Sequence, residues 1–253
     1  NGQSLLIMSS IVLSLPAVFT GAYNAFIGAG TYEGFLGILF FALYLIMYVL
    51  VIVGVVWITL AERKIPIQYA NKTVSAYRAK ESYLPLKINY AGVMPVIFAS
   101  MMLTIPSIIV NIIGNQAAID FVSNYILYTS PTGFVLYIAL IVFFSYFYTF
   151  MAMNPEEMSK DLNKSGAYIP GVRPGVETSK YISKVVGRLT LVGSLFIAIL
   201  AGMPILISNL TGLDQTVAIG GTGILIVVGV AIETYKQIES GLVSRKYSSR
   251  RGR

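Results

Sequence analysis

Few residues in this chain are suited to chemistry. Glu156 and Glu157 lie side by side after Pro155, and Arg173 lies between two Pro-Gly pairs in Ile169-Pro170-Gly171-Val172-Arg173-Pro174-Gly175. Paired carboxylates can act as general acid and base, but only with a reacting group or proton partner in reach. The chain has no Cys and no His, which removes disulfides, thiolate nucleophiles, zinc sites and imidazole relays. Directly after a proline, the two glutamates read as the first turn of a helix, where carboxylates complement the helix dipole. No phosphate loop and no nucleophile–base constellation accompanies them. The chain is therefore read as a non-enzyme with no cofactor and no metal. Arg173 suits recognition instead. Pro-Gly turns on either side would hold its guanidinium on a stiff tip, where the planar fork binds carboxylate or phosphate bidentately. A solvated loop that merely sets topology would explain the charge but not the turns.

The elements that must carry these residues are apolar. Charged residues make up 11% of the 253, against about 25% in a soluble domain, and mean hydropathy is +0.74. So little charge cannot cover a soluble surface, and the bilayer is the natural solvent for the excess. A membrane helix needs roughly 20 apolar residues. Six segments are expected to span: Ser4–Ile27, Phe35–Leu60, Tyr90–Ile113, Gly133–Met153, Leu189–Ser208 and Ile219–Ile232. The run Leu5–Val18 is similar to the apolar part of a signal peptide but has no basic region before it, so it reads as a span. The chain opens at Asn1 rather than Met and is read as a fragment. Pro95 and Pro106 interrupt the third segment. They point either to a bent helix lining a cavity or to the higher frequency of Pro in membrane helices.

The eighteen Lys and Arg residues fall in three stretches, 63–87, 160–188 and 236–253. The only charged residues of the intervening segments 21–34, 112–131 and 209–218 are Glu33, Asp120 and Asp214. Basic loops are retained on the cytosolic side. Segments 61–88 and 154–188 and the tail 233–253 are thus expected to be cytosolic, in one membrane domain over 1–253. The net charge of +7 belongs to these loops, which can meet anionic headgroups or cytosolic partners. Nucleic-acid binding is not read as a main function, although ribosomal RNA remains open as one loop contact. Each cytosolic loop runs to about thirty residues, far beyond the usual 4–6 of a connector. The first has two extended-looking pieces, Ile65–Ala70 and Tyr83–Ile88, which suggest a projecting hairpin. No Asp, Glu, Lys or Arg lies near the middle of a span, whereas proton-coupled pumps and voltage sensors place ionisable groups there.

Several stretches carry a family resemblance: Asn1-Gly2-Gln3-Ser4, Arg63-Lys64-Ile65-Pro66-Ile67-Gln68-Tyr69-Ala70, Leu84-Pro85-Leu86-Lys87-Ile88-Asn89, Met94-Pro95-Val96-Ile97-Phe98-Ala99-Ser100, the Arg173 stretch and Gly220-Gly221-Thr222. Their order and spacing resemble the bacterial SecY family of protein-translocase channel subunits. The resemblance implies an all-α polytopic membrane fold with six transmembrane helices here, corresponding to spans five to ten. These form the C-terminal half of an inverted-repeat channel plus the preceding helix. It implies a passive pore that passes unfolded secretory polypeptides across the bacterial cytoplasmic membrane and releases membrane segments sideways into lipid. The implied partners are SecE, SecG, the SecA motor and the ribosome. By motif, Ile7, Ile97 and Ile226 are expected in the hydrophobic pore ring. Met101 and Ile105 are expected at the lateral gate, and Arg63, Lys64 and Arg173 in cytosolic partner contacts. A lone Ile in a span otherwise reads as lipid-facing or packed. Gln3, one turn before Ile7, stands where an apolar residue is expected, and Gly223 where the family often has Ser. The other reading of a polytopic chain is a small-solute secondary transporter, which would need polar ligands at a midplane site. A membrane scaffold would not need two stiff loops.

Single cysteines placed at Ser75, Asn124 and Ser165 test the topology. Membrane-impermeant thiol reagents should label Ser75 and Ser165 from one side and Asn124 from the other. Labelling of all three from one side would overturn it.

Overall fold

The computed structural model describes residues 2–28, 34–69, 82–128, 130–211 and 222–239, without the side chains of residues 2–5, 7, 210 and 211. Helix α1 (Gly2–Tyr23) runs on as a π-helical turn over Asn24–Gly28, and α2 is Phe35–Leu60. Strands β1 (Glu62–Tyr69) and β2 (Ser82–Lys87) precede α3 (Met94–Ile113). A short α4 (Gln116–Phe121) with a π-helical turn (Val122–Ile126) leads to α5 (Pro131–Ala152). Then come α6 (Pro155–Lys164), β3 (Ala167–Tyr168), α7 (Val176–Thr211) and a helix over 222–239, here α8. Among the described residues five helices are long and apolar enough to cross a membrane: α1 with its π turn, α2, α3, α5 and α7. The sixth expected span, Ile219–Ile232, starts outside the described residues. Its helix α8 is apolar up to Ile232 and polar beyond.

The expected hairpin is present. β1 and β2 pair antiparallel, with Ile65 opposite Leu84 and Pro66 opposite Tyr83. Side chains alternate across a strand, so Ile65, Ile67 and Leu86 point into one buried face while Lys64 and Pro66 stay exposed. A third strand was not expected. β3 joins the other edge of β1, with Gln68 opposite Tyr168 and Tyr69 opposite Ala167. It covers only those two residues, which leaves the β1 edge beside Pro66 without a strand partner. A residue lacking an N–H is tolerated there.

The segment 154–188, expected as a loop, is built from α6, β3, the Arg173 tip and the first part of α7. Asn154 caps α6 by accepting from the Glu156 N–H at 3.1 Å, and Glu156 and Glu157 fill the first turn. The glutamates thus sit where the helix dipole favours them. Helix α7 does not begin at Leu189. Its 36 residues extend about 54 Å at 1.5 Å per residue, well beyond a hydrocarbon core of about 30 Å. Its first part is amphipathic: Ile182, Val185 and Val186 are buried, and Lys180, Lys184 and Arg188 are exposed.

Two apolar cores result. One joins Ile65, Ile67 and Leu86 of the hairpin to Leu162 of α6, Ile169 of the tip and Ile182, Val185 and Val186 of α7. The hairpin strands and the segment 154–188, read separately from sequence, therefore form one folded unit. The other core lies among the spanning helices and takes in Val51 and Val55 of α2, Val96 and Leu103 of α3, Ile141 of α5, Ala198 and Ala201 of α7 and Leu225 of α8.

Pro95 does not break its helix. It lies in the first turn of α3, where the missing N–H has no intrahelical partner to lose, and the expected span beginning at Tyr90 begins at Met94. Pro106 does lie inside α3.

Glycines set the helix spacing. A β-carbon on Gly54 would come 2.9 Å from the Leu200 side chain, one on Gly202 2.9 Å from the Phe134 ring, and one on Gly193 2.8 Å from the Ile88 carbonyl oxygen. In lipid, helices associate through such close packing rather than through hydrophobic exclusion from water. Gly193→Ala meets backbone and should cost about 1–3 kcal/mol, whereas Gly54→Ala meets a flexible side-chain end and should cost under about 1 kcal/mol. Thermal unfolding of the detergent-solubilised full-length parent carrying each change measures the difference.

Candidate functional site: a lined face on α1, α3 and α8

Helix directions come first. The hairpin follows α2 and precedes α3, so the C-terminus of α2 and the N-terminus of α3 share the sheet side. Helix α1 precedes α2 through a short connection, and therefore also starts on the sheet side. Helix α8 runs the opposite way: its Lys236 Nζ lies 3.4 Å from the Thr59 carbonyl at the end of α2. That contact also brings a cation to a helix C-terminus, where the dipole favours it.

Two glycines then fix the register of α8. A β-carbon on Gly223 would lie 2.9 Å from Ile11 of α1, and one on Gly229 would overlap Val93 at the start of α3. Ile226 lies three residues from each, about 4.5 Å along the axis. Ile97 is one turn beyond Val93 on α3, on the same face, and Ile7 is one turn before Ile11 along α1. The three isoleucines named from sequence therefore fall at about the same level of the bundle. Ile226 is buried at 9% exposure and Ile97 is half-buried against the same core. The side chain of Ile7 lies outside the described ones.

A further feature was not singled out from sequence. On α3, Ile97, Ser100, Thr104, Ser107 and Asn111 recur at intervals of three and four, which is one helical face. On α1, Ile7, Ser10, Ser14, Ala17 and Gly21 repeat the same intervals. Each face starts with an isoleucine near the sheet side and continues with small or hydroxyl residues away from it. Ser10, Ser14, Thr104 and Asn111 are exposed. Each donates to its own helix: Ser10 Oγ to the Leu6 carbonyl at 3.0 Å, Ser14 Oγ to Ile11 at 2.7 Å, Thr104 Oγ1 to Ser100 at 2.8 Å and Asn111 Nδ2 to Ser107 at 2.7 Å. The signal was available in the sequence as a polar period of 3.5 inside an apolar segment.

Met101 and Ile105 are four residues apart on α3 and are 55% and 52% exposed. They border the polar face of α3 on the side away from the core. Together with Met102, Ile108 and Ile109 they make an exposed apolar strip.

The basic residues named from sequence sit on the sheet unit. Arg63 and Lys64 are exposed on β1. Arg173 is exposed on a tip whose flanking Gly171 and Gly175 have φ of 81° and 98°, a left-handed conformation that other residues adopt poorly. The tip is held from behind. Ser159 Oγ donates to the Gly175 carbonyl at 2.7 Å, Thr178 Oγ1 donates to the Arg173 carbonyl at 2.9 Å, and Ile169 is buried. Beside it lies a groove of about 550 Å³ lined by Arg173, Tyr181, Lys184 and the exposed pair Lys180–Glu177 at 3.4 Å. Among the described residues no carboxylate pairs with Arg173, so its guanidinium is available to a partner.

Comparison with known proteins agrees with this architecture. A family profile described as SecY matches residues 1–235. The protein translocase subunit SecY of Bacillus subtilis (strain 168) is 45% identical over 250 residues, covering 98% of this chain and 58% of the relative. That of Staphylococcus aureus (strain NCTC 8325 / PS 47) is 42% identical over 256 residues, covering 100% and 59%. This chain thus spans under two thirds of the length of these relatives. A solved structure described as a protein conducting channel superposes with a TM-score of 0.59 at 19% identity, over 96% of this chain and 60% of that one. Another, concerned with the plug domain of the SecY protein, gives 0.58 at 18% identity over 95% and 60%. The fold is common to both structures, the sequence match extends over nearly the whole of this chain, and the chain belongs to the SecY family.

Proposed function

We propose that this chain is part of the channel-forming subunit of a bacterial protein translocase. Unfolded secretory polypeptides cross the cytoplasmic membrane through it, and membrane segments leave sideways into lipid. One observation carries the reading: the shared pattern of α1 and α3, an isoleucine near the sheet side followed by a polar face, with Ile226 of α8 at the same level. Polar side chains in a membrane bundle face a protein interior or water. A collar of branched aliphatic groups offers water no hydrogen bond and so resists wetting. Ile7, Ile97 and Ile226 would seal the resting pore, and the hydroxyl-bearing faces would line a wet vestibule beyond them. Apolar contact is non-directional, so such a collar accepts many passing side chains. The exposed strip at Met101 and Ile105 suits the lipid exit.

The sheet unit is then the cytosolic docking head, with the basic tail on the same side. Arg63, Lys64 and Arg173 would contact the SecA motor or the ribosome, which supply the energy, while SecE and SecG complete the complex. The transporter reading fares worse. Residues 35–60, 94–113, 131–152 and 189–211 carry no Asp, Glu, Lys or Arg, whereas ion-coupled carriers keep such groups at midplane.

Two substitutions in the full-length parent test the two halves of this reading. Ile226→Asn should raise ion conductance and relax discrimination among export signals, because a polar group wets the collar. Ile199→Asn, at a position on α7 that is 61% exposed, should do neither. Equal conductance of the two variants in planar bilayers would sink the ring. Separately, Arg173→Glu should lower export about tenfold or more, as expected for the loss of a charge-assisted contact of roughly 1.5–3 kcal/mol, while protein level and membrane insertion stay unchanged. A collapse of protein level would make Arg173 a structural residue instead.

A further inference from the structure

Helix α4 and its π turn lie at the opposite end of the bundle from the sheet unit, between the C-terminus of α3 and the N-terminus of α5. Val122 is buried there and Ile126 packs against the membrane core, which fixes the segment onto the ends of those two spans. Its other side is exposed. Phe121 is 57% exposed and Tyr125 56%, and their rings lie 5.1 Å apart and tilted by 33°. Two adjoining aromatic rings left open to solvent would be an unusual liability.

The depth of the segment says what covers them. Helix α3 has 20 residues, about 30 Å of helix, which matches the hydrocarbon core. Its last residue is therefore at the membrane–water boundary, and Gly114, with φ of 71°, turns the chain immediately into α4. The aromatic pair thus leaves the bundle at headgroup level. Exposed apolar residues flank the segment along the chain, with Ile109, Ile112 and Ile113 at the end of α3 and Val135 and Leu136 at the start of α5. The polar groups of the segment are those an interface can solvate. Asp120 and Asn124 are exposed, and residues 112–131 contain no Lys or Arg. Local backbone groups are satisfied internally: the Asn115 side chain accepts from Ala117 N at 3.1 Å, and Thr132 Oγ1 donates to the Tyr125 carbonyl at 2.9 Å.

We propose that Phe121 and Tyr125 form a lipid anchor in the headgroup region of the leaflet opposite the sheet unit. The occupant is the bilayer interface, where amphipathic rings are favoured. The anchor holds the far ends of α3 and α5 at fixed depth. It gives α3, whose exposed strip borders the polar face, a pivot at one end. The inference rests on the membrane fold and not on what the bundle transports, so it stands or falls separately from the proposed function.

Phe121→Trp and, in a second variant, Tyr125→Trp, made in the full-length parent and reconstituted in vesicles, report the surroundings of each ring. Emission added over the parent should be blue-shifted, and lipids brominated high on their acyl chains should remove about half of it, while aqueous iodide removes about a tenth, as for an interfacial indole. The second variant serves if the first does not assemble. Red-shifted added emission quenched mainly by iodide would place the rings in water and overturn the anchor. Added emission shielded from both quenchers would mean that protein covers the rings, which also overturns it.

Discussion

Helix α7 runs unbroken from Val176 to Thr211, and its two ends belong to different cores. Ile182, Val185 and Val186 pack under the β-hairpin, while Ala198 and Ala201 pack among the spanning helices. Between Val176 and Gly193 the helix contains no proline, so each residue there can add a backbone hydrogen bond to a ladder already nucleated. The sheet unit therefore cannot swing freely on a flexible linker. Where α7 crosses the hairpin exit, Gly193 lets the Ile88 carbonyl approach to a distance that no β-carbon would permit. The placement of the sheet unit relative to the bundle depends on that contact.

The same economy of side chains governs the bundle. Lipid tails are as apolar as leucine, so burying apolar area does little to hold one helix against another. Close backbone approach does more, and it is found where glycine meets a partner: Gly54 with Leu200, Gly202 with Phe134, Gly223 with Ile11 and Gly229 with Val93. Without Gly223 and Gly229, α8 would stand further from α1 and α3.

Polar groups inside the spans are few, and several of their hydroxyls bond locally, although Tyr146 of α5 donates across to the Gly187 carbonyl of α7 at 3.0 Å. The hydroxyls of Ser14, Ser100, Thr104, Ser145 and Thr190 donate to carbonyls three or four residues back on their own helices. Such back-bonding lets a hydroxyl sit in a membrane helix without a partner on another helix. It also leaves acceptor lone pairs for water wherever the face is open.

The sequence by itself determined the membrane class, the position of the long spans and the partition of basic residues, because bilayer transfer acts on composition over some twenty residues and needs no knowledge of neighbours. It also determined the hairpin strands and the stiff Arg173 tip, since Pro and Gly restrict the backbone locally. The helical start of α7 was legible in principle from the spacing of Ile182, Val185 and Leu189, but the charges between them masked it as a loop. Only the tertiary structure decided that the strands β1 and β2 and the segment 154–188 form one unit. That union rests on Gln68 and Tyr69 pairing with β3, a contact about a hundred residues apart in the chain with no local signature. The approach of α8 to α1 and α3 was likewise beyond the sequence, because it depends on where Gly223 and Gly229 admit a neighbour, and a glycine looks the same in sequence whether it packs or not.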